Sequence, residues 1–150
     1  MADFDTKFGT GKQDWETPDS IFDPLNAEFG FVLDVAASEG NGKCLQFFTK
    51  EQDGLMQDWH GPCWMNPPFG EQGQWAEKAY RESLKGETVV CLLPARTNTR
   101  WWSNYCKDGE VRFIVGRPVF KGAKYGLPQP LAIVILGPAA RAGTVSYWEP

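Results

Sequence analysis

Histidine is nearly absent from this 150-residue chain: only His60 is present, between Trp59 and Gly61. One histidine leaves Ser-His-Asp chemistry without support, and its place in a turn reads as a surface residue. Paired metal ligands are missing too. Cys44, Cys63, Cys91 and Cys106 stand 19, 28 and 15 residues apart, with no CxxC among them. Such spacing does not build a zinc site, so the expectation is no metal and four buried free thiols in a reducing compartment. No apolar run reaches 18 residues, which excludes a membrane-spanning helix. The first five residues, Met1-Ala2-Asp3-Phe4-Asp5, carry acids and no apolar run, unlike a signal peptide. Internal repeats, low-complexity tracts and interdomain linkers are also lacking. The expectation is a cytoplasmic protein of one domain, residues 13–150, preceded by a loose arm over 1–12.

The sequence is rich in aromatics, with seven Trp, ten Phe and four Tyr. Most fill a core, but aromatic rings also stack on bases. The adjacent pair Trp101-Trp102 is awkward for a helix that buries one face. Charge is unevenly placed. Residues 1–60 hold four basic and twelve acidic side chains, whereas residues 61–150 hold eleven and seven. Between 96 and 124 there are seven basic residues against Asp108 and Glu110. That stretch is either a face turned to a polyanion or simply a solvated face.

Periodicity predicts a helix over Asp19 to Phe29, with Thr17 or Asp19 as its cap, Pro18 at its start and Gly30 at its end. Short strands follow at 31–35, 45–48 and 63–65. Then come a helix over 75–84, a buried strand over 88–93 stopped by Pro94, a helix over 98–106, and strands over 111–115 and 131–136. Apolar strands alternating with helices indicate a compact, single-domain α/β fold, with a mostly parallel sheet covered by helices on both faces. Such sheets hold ligands at the carboxyl ends of their strands.

One such end carries Trp64-Met65-Asn66-Pro67-Pro68-Phe69. A prolyl-prolyl turn is stiff and has no N–H at either proline. It can aim the Asn66 side-chain oxygen and the Pro67 carbonyl at one point. Two converging acceptors would hold both protons of an –NH₂ group and orient its lone pair, and Phe69 could stack on the ring bearing that amine. The alternative is a structural turn with Phe69 in the core.

Asn66-Pro67-Pro68-Phe69 resembles the (D/N/S)PP(Y/F) motif of S-adenosylmethionine-dependent amino-methyltransferases. The wider order is Gln13-x-Trp15-x-Thr17-Pro18, Phe31-x-Leu33-Asp34-Val35-Ala36-Ala37, Phe48-Thr49, Asp53-Gly54-Leu55 and Trp59. After the Asn66 motif it continues with Leu93-Pro94-Ala95-Arg96-Thr97 and Gly116-Arg117-x-x-Phe120. As a set this is similar to the phage-type DNA N6-adenine methyltransferases, the Dam family of phages and prophages, over roughly residues 13–136.

The resemblance implies a Rossmann-like methyltransferase fold that uses S-adenosylmethionine and no metal. It implies methyl transfer to adenine N6 in double-stranded DNA, with the base flipped out. Asn66, Pro67, Pro68 and Phe69 would form the catalytic motif. Trp15, Thr17, Pro18, Asp34 and Ala36 would meet the cofactor, and either Asp53 or Glu51 would hold its ribose. The usual glycine-rich loop after the first strand is replaced by Val35-Ala36-Ala37-Ser38, with Gly40 and Gly42 late, so Ala36 and Ala37 are expected to line the cofactor. Arg96, Arg100, Arg117, Lys121 and Lys124 are candidates for DNA contact, although Arg117 could equally form a structural ion pair. A phage-encoded enzyme would act in the host bacterial cytoplasm, as a monomer or weak homodimer. Alternative substrates for the motif are RNA adenine and a protein glutamine amide, and a further alternative is a cofactor- or DNA-binding protein without turnover. Little chain is left for a recognition domain, so a short or relaxed target is expected.

Overall fold

The computed structural model describes residues 16–38 and 40–150. The expected arm over 1–12 and the candidate Trp15 lie outside the described residues. The chain runs as helix α1 (Asp19–Phe29), strands β1 (Leu33–Asp34) and β2 (Gln46–Phe47), a 3-10 turn (Gly54–Met56), β3 (Cys63–Met65), helix α2 (Gln72–Leu84), β4 (Val89–Pro94), helix α3 (Arg100–Tyr105), β5 (Glu110–Ile114), β6 (Leu131–Leu136) and β7 (Val145–Trp148). The seven strands form one sheet in the order β2-β1-β3-β4-β6-β5-β7. β1, β2, β3 and β4 are mutually parallel. β6 is antiparallel to both β4 and β5, and β7 is parallel to β5. Six strands therefore point one way and β6 alone points back, which makes the sheet mostly parallel, as expected.

The long strands show why two layers of helix are needed. Along β4, Val89, Cys91 and Leu93 enter one core, and Val90 and Leu92 enter the other. β6 alternates in the same way, with Ala132, Val134 and Leu136 opposite Leu131, Ile133 and Ile135. Period-two alternation puts successive side chains on opposite faces, so an all-apolar strand must be covered twice. Trp75, Ala76 and Ala79 of α2 and Trp102 of α3 cover the first face. Ile21, Phe22 and Leu25 of α1 cover the second.

Local chemistry explains the boundaries. α1 spans the expected residues and ends at Gly30, whose φ of 65° suits a residue without a Cβ. Neither Thr17 nor Asp19 caps it: the cap position is Pro18, with no side-chain bond. Both side chains are engaged elsewhere, as the site shows. β1 and β2 are shorter than expected, two residues each. Pro94 does not stop β4 but is its last residue, opposite Leu131. A proline needs no donor at a strand end, and Ala95 N–H takes up the ladder by donating to the Pro130 carbonyl. β7 was not expected. It is an edge strand, exposed along most of its length.

Cys63, Cys91 and Cys106 are buried free thiols, as expected, whereas Cys44 is only half-buried. Burial pushes the Cys63 and Cys106 thiols up to about 12. His60 is exposed. Trp102 is buried and Trp101 half-buried, which resolves the awkward pair in favour of one inward ring. Among the described residues no helix is long and apolar enough to cross a membrane.

Candidate active site

Three strands deliver the candidate residues to one edge of the sheet. β1 ends at Asp34, β3 ends immediately before Asn66, and β4 ends two residues before Arg96. Because these strands are parallel, their carboxyl ends lie together. β5 runs in the same sense and β6 returns, so residues 115–130, which join them, lie at that edge as well.

Three cavities follow this edge. The largest, about 170 Å³, is lined among others by Ala36, Phe48, Asp53, Leu55, Pro68 and Trp75. A second, of about 20 Å³, lies among Thr17, Asp34, Ala36, Ala37, Lys43 and Asn66, with Glu16 at its wall. A third, also about 20 Å³, is bounded by Asn66, Pro67, Phe69, Phe120, Leu127 and neighbouring strand residues. Ala36 borders the first two cavities and Asn66 borders the last two. Asn66 thus stands between a small polar cavity and a strip of aromatic and aliphatic wall.

Asn66 is held from a distance of 49 residues in sequence. Its Nδ2 donates to Thr17 Oγ1 at 3.0 Å. Thr17 is 1% exposed, so the bond is sheltered from water. Committing Nδ2 to Thr17 turns the amide oxygen to the opposite side of the side chain. This explains why Thr17 does not cap α1. Pro67 is buried, whereas Pro68 and Phe69 are half-buried. Phe69 packs against the second core and also lines the third cavity.

Asp34 is 3% exposed. Its carboxylate accepts from Ala36 N–H at 3.3 Å and from Lys43 N–H at 3.0 Å. Burial pushes its pKa up to about 6, against the opposing effect of those two donors and the Lys43 charge. Lys43 Nζ pairs with Glu16 at 3.2 Å. The second cavity is therefore lined by two carboxylates and one ammonium group.

Of the two acids considered for a ribose, Asp53 lines the largest cavity and Glu51 does not. Asp53 adopts φ 54°, a left-handed conformation uncommon for a residue with a Cβ. Its Oδ1 accepts from Leu55 N–H at 3.2 Å, while Oδ2 has no partner among the described residues. Trp75 borders the same cavity, and its indole N–H is buried without an acceptor. Ala36 lines the first two cavities and Ala37 the second, and Gly40 and Gly42 line none of the three. Pro18 lines none of the three and serves to open α1. Lys43, Glu16, Glu71 and Trp75 were not singled out from the sequence. Lys43 and Glu16 meet the site only through the fold, and no local pattern marks them.

The basic stretch divides in two. Lys107 pairs with Asp108, Arg112 with Glu28 and Glu110, and Lys121 with Glu16 and Asp19 at 3.2 and 3.0 Å. Asp19 and Glu16 together raise the Lys121 pKa. Arg96, Arg100 and Arg117 are exposed and make no ion pair among the described residues. Lys124 Nζ lies 5.7 Å from the centre of the Tyr125 ring. Among the described residues Arg117 makes no structural ion pair.

Comparison with known proteins identifies the family. A family model described as DNA N-6-adenine-methyltransferase (Dam) matches residues 6–129. A protein of Haemophilus phage HP1 (strain HP1c1) named DNA N-6-adenine-methyltransferase is 39% identical over 104 residues, covering 65% of this chain and 60% of that protein. One of the same name from Escherichia phage T1 is 32% identical over 92 residues, covering 59% of this chain and 39% of its own length. The chain thus spans less than two thirds of the length of either relative. A solved structure titled as a predicted O-methyltransferase from Agrobacterium tumefaciens superposes with a TM-score of 0.33 at 19% identity, over 59% of this chain and 40% of that one. A superposition that partial says nothing about substrate.

Proposed function

Because the chain belongs to the DNA N-6-adenine-methyltransferase (Dam) family, we propose that it transfers a methyl group from S-adenosylmethionine to the N6 amino group of adenine in double-stranded DNA. The observation that carries this reading is Asn66, fixed by Thr17 at the wall shared by two cavities.

The first cavity has room for part of the cofactor, and the polar lining of the second suits its amino-acid end. A space of about 170 Å³ with walls of Phe48, Leu55 and Trp75 takes a purine-sized ring. The unpartnered Oδ2 of Asp53 is an acceptor suited to a ribose hydroxyl. Asp34 and Glu16 suit an ammonium group, and Lys43 suits a carboxylate. When bound, the cofactor supplies a methyl group made electrophilic by its sulfonium.

The chain's own residues do the rest. The Asn66 amide oxygen and the Pro67 carbonyl accept the two N6 protons of the adenine. This localises a lone pair that is otherwise delocalised into the ring, and it disperses positive charge as the nitrogen attacks. Phe69 holds the ring by stacking. Asn66 is neutral and cannot act as a general base, so the proton leaves to water after the N–C bond has formed. An adenine inside a duplex cannot reach Asn66, so it must be turned out of the stack. The third cavity, at about 20 Å³, has room for a water molecule and not for a base. Its wall includes Phe120 and Leu127, both buried in the second core, so the site must open for a base to enter.

The test is label transfer from S-[methyl-³H]adenosylmethionine to duplex DNA, to structured RNA and to a glutamine-containing protein substrate. The reading requires label in DNA and none in the other two. Label confined to RNA or protein would refute it.

A further inference from the structure

Residues 117–126 form a closed loop at the sheet edge that carries Asn66. Its two ends touch, because a Cβ on Gly126 would lie 2.6 Å from both the Cβ and the carbonyl oxygen of Arg117. The loop is pinned from inside by Phe120, which is buried in the second core. It is pinned from the side by Lys121, whose N–H donates to the Glu16 carbonyl at 3.0 Å. A loop of this length with adjacent ends and its own buried plug is an Ω-loop.

Its outer surface combines two properties that rarely coincide. There is no acidic residue between 111 and 148, and the loop carries Arg117, Lys121 and Lys124. Among these cations two apolar side chains face solvent: Tyr125 is 65% exposed and Val119 is 48% exposed. Lys124 Nζ lies 5.7 Å from the centre of the Tyr125 ring, so a cation and an aromatic face stand together on this surface. Tyr125 lies two residues from Leu127, which forms the wall of the third cavity. Two residues of chain span at most about 7 Å, so the backbone at Tyr125 lies within that reach of this wall residue.

We propose that this loop enters the duplex and that Tyr125 fills the gap left in the base stack when the adenine turns out toward Phe69. The proposal rests on the functional reading above. Proteins that unstack base steps insert apolar wedges while cations hold the adjacent phosphates. Arg117 and Lys124 supply the cations here. Tyr125 is chosen over Val119 because an aromatic ring replaces base stacking and an isopropyl group does not.

The experiment uses a duplex containing a site first mapped with the wild-type protein, and a second duplex in which the target adenine faces an abasic position. Tyr125→Ala is expected to lower the methylation rate on the intact duplex about tenfold or more, the scale of losing one aromatic stack. On the abasic duplex, where the adenine is already loosened, the variant recovers to within threefold of wild type. With 2-aminopurine at the target position, the wild type gives a fluorescence rise on binding that Tyr125→Ala loses and Tyr125→Phe keeps. Affinity for S-adenosylhomocysteine within twofold of wild type shows that the variant is folded. Tyr125→Ala within threefold of wild type on the intact duplex, or equally impaired on both duplexes, overturns the wedge while leaving the methyltransferase reading intact. Tyr125→Phe as impaired as Tyr125→Ala also overturns it, since the phenol hydroxyl rather than the ring would then be the active part. A wild-type protein that methylates no DNA overturns both.

Discussion

Replacing Thr17 with valine removes one hydroxyl from a side chain 1% exposed and keeps its shape. The hydroxyl accepts from Asn66 Nδ2 at 3.0 Å, so the variant deprives that donor of this partner without opening a cavity. Losing one partner of a buried hydrogen bond costs about 1–3 kcal/mol. Asn66 is half-buried, so water can partly replace the lost acceptor, which favours the lower part of that range. If the cost falls on the alignment of the Asn66 oxygen at the reacting amine, the rate falls by roughly 5- to 150-fold, since about 1.4 kcal/mol is tenfold. If Thr17 instead acted by holding the cofactor, the loss would appear in cofactor affinity. Steady-state kinetics with titrated S-adenosylmethionine, together with calorimetry of S-adenosylhomocysteine, separates the two. The structure predicts a fall in kcat, affinity for the homocysteine analogue within about threefold, and recovery of kcat in Thr17→Ser. A kcat within threefold of wild type in Thr17→Val would refute the positioning role.

Three further outcomes follow from the same geometry. Asn66→Ala should lower kcat by about 100-fold or more, the scale of losing one preorganised partner for developing charge, and Phe69→Ala should lose about 1–3 kcal/mol of base stacking that Phe69→Tyr retains; single-turnover kinetics checks both. Asp34 has its folded pKa raised to about 6, so the stability it contributes is present below its unfolded value and is lost as the pH rises through about 6. The unfolding free energy of wild type minus that of Asp34→Asn should therefore decline between about pH 4 and 6, by on the order of 2–3 kcal/mol, and denaturant melts that show it rising would contradict this. Arg96→Ala and Arg117→Ala should each reduce the slope of log affinity for duplex DNA against log salt by about one, whereas Lys107→Ala, already paired with Asp108, should leave it unchanged.

Much of this was legible in the residues, for reasons that differ from place to place. The bounds of α1, β3 and β6 follow from strong local signals: a glycine stop, a Pro-Pro stop and an unbroken apolar run. β7 was not read, because an exposed edge strand needs no apolar face and so leaves little pattern. β1 and β2 carry apolar residues beyond the two that pair, and pairing length depends on the partner strand. The Asn66 motif was readable because its chemistry is contiguous. Its link to Thr17 was not, since the contact joins residues 49 apart and only the fold brings them together. The basic stretch was read as one surface, but ion pairs with Glu16, Asp19, Glu28, Asp108 and Glu110 occupy three of its seven cations. Those partners include residues from the acidic half of the chain, and no charge count along the sequence shows which will meet.

The central claim is that Asn66, set by Thr17 at the junction of two cavities, presents an acceptor to the N6 amine of adenine in DNA. Its most direct test is nucleoside analysis by mass spectrometry of duplex DNA incubated with S-adenosylmethionine and either the wild-type protein or Asn66→Ala. The expected result is N6-methyladenine as the methylated nucleoside with the wild type, and about 100-fold less or none with the variant at unchanged affinity for S-adenosylhomocysteine. Methylation of a different base, or N6-methyladenine formed equally by both proteins, would contradict it.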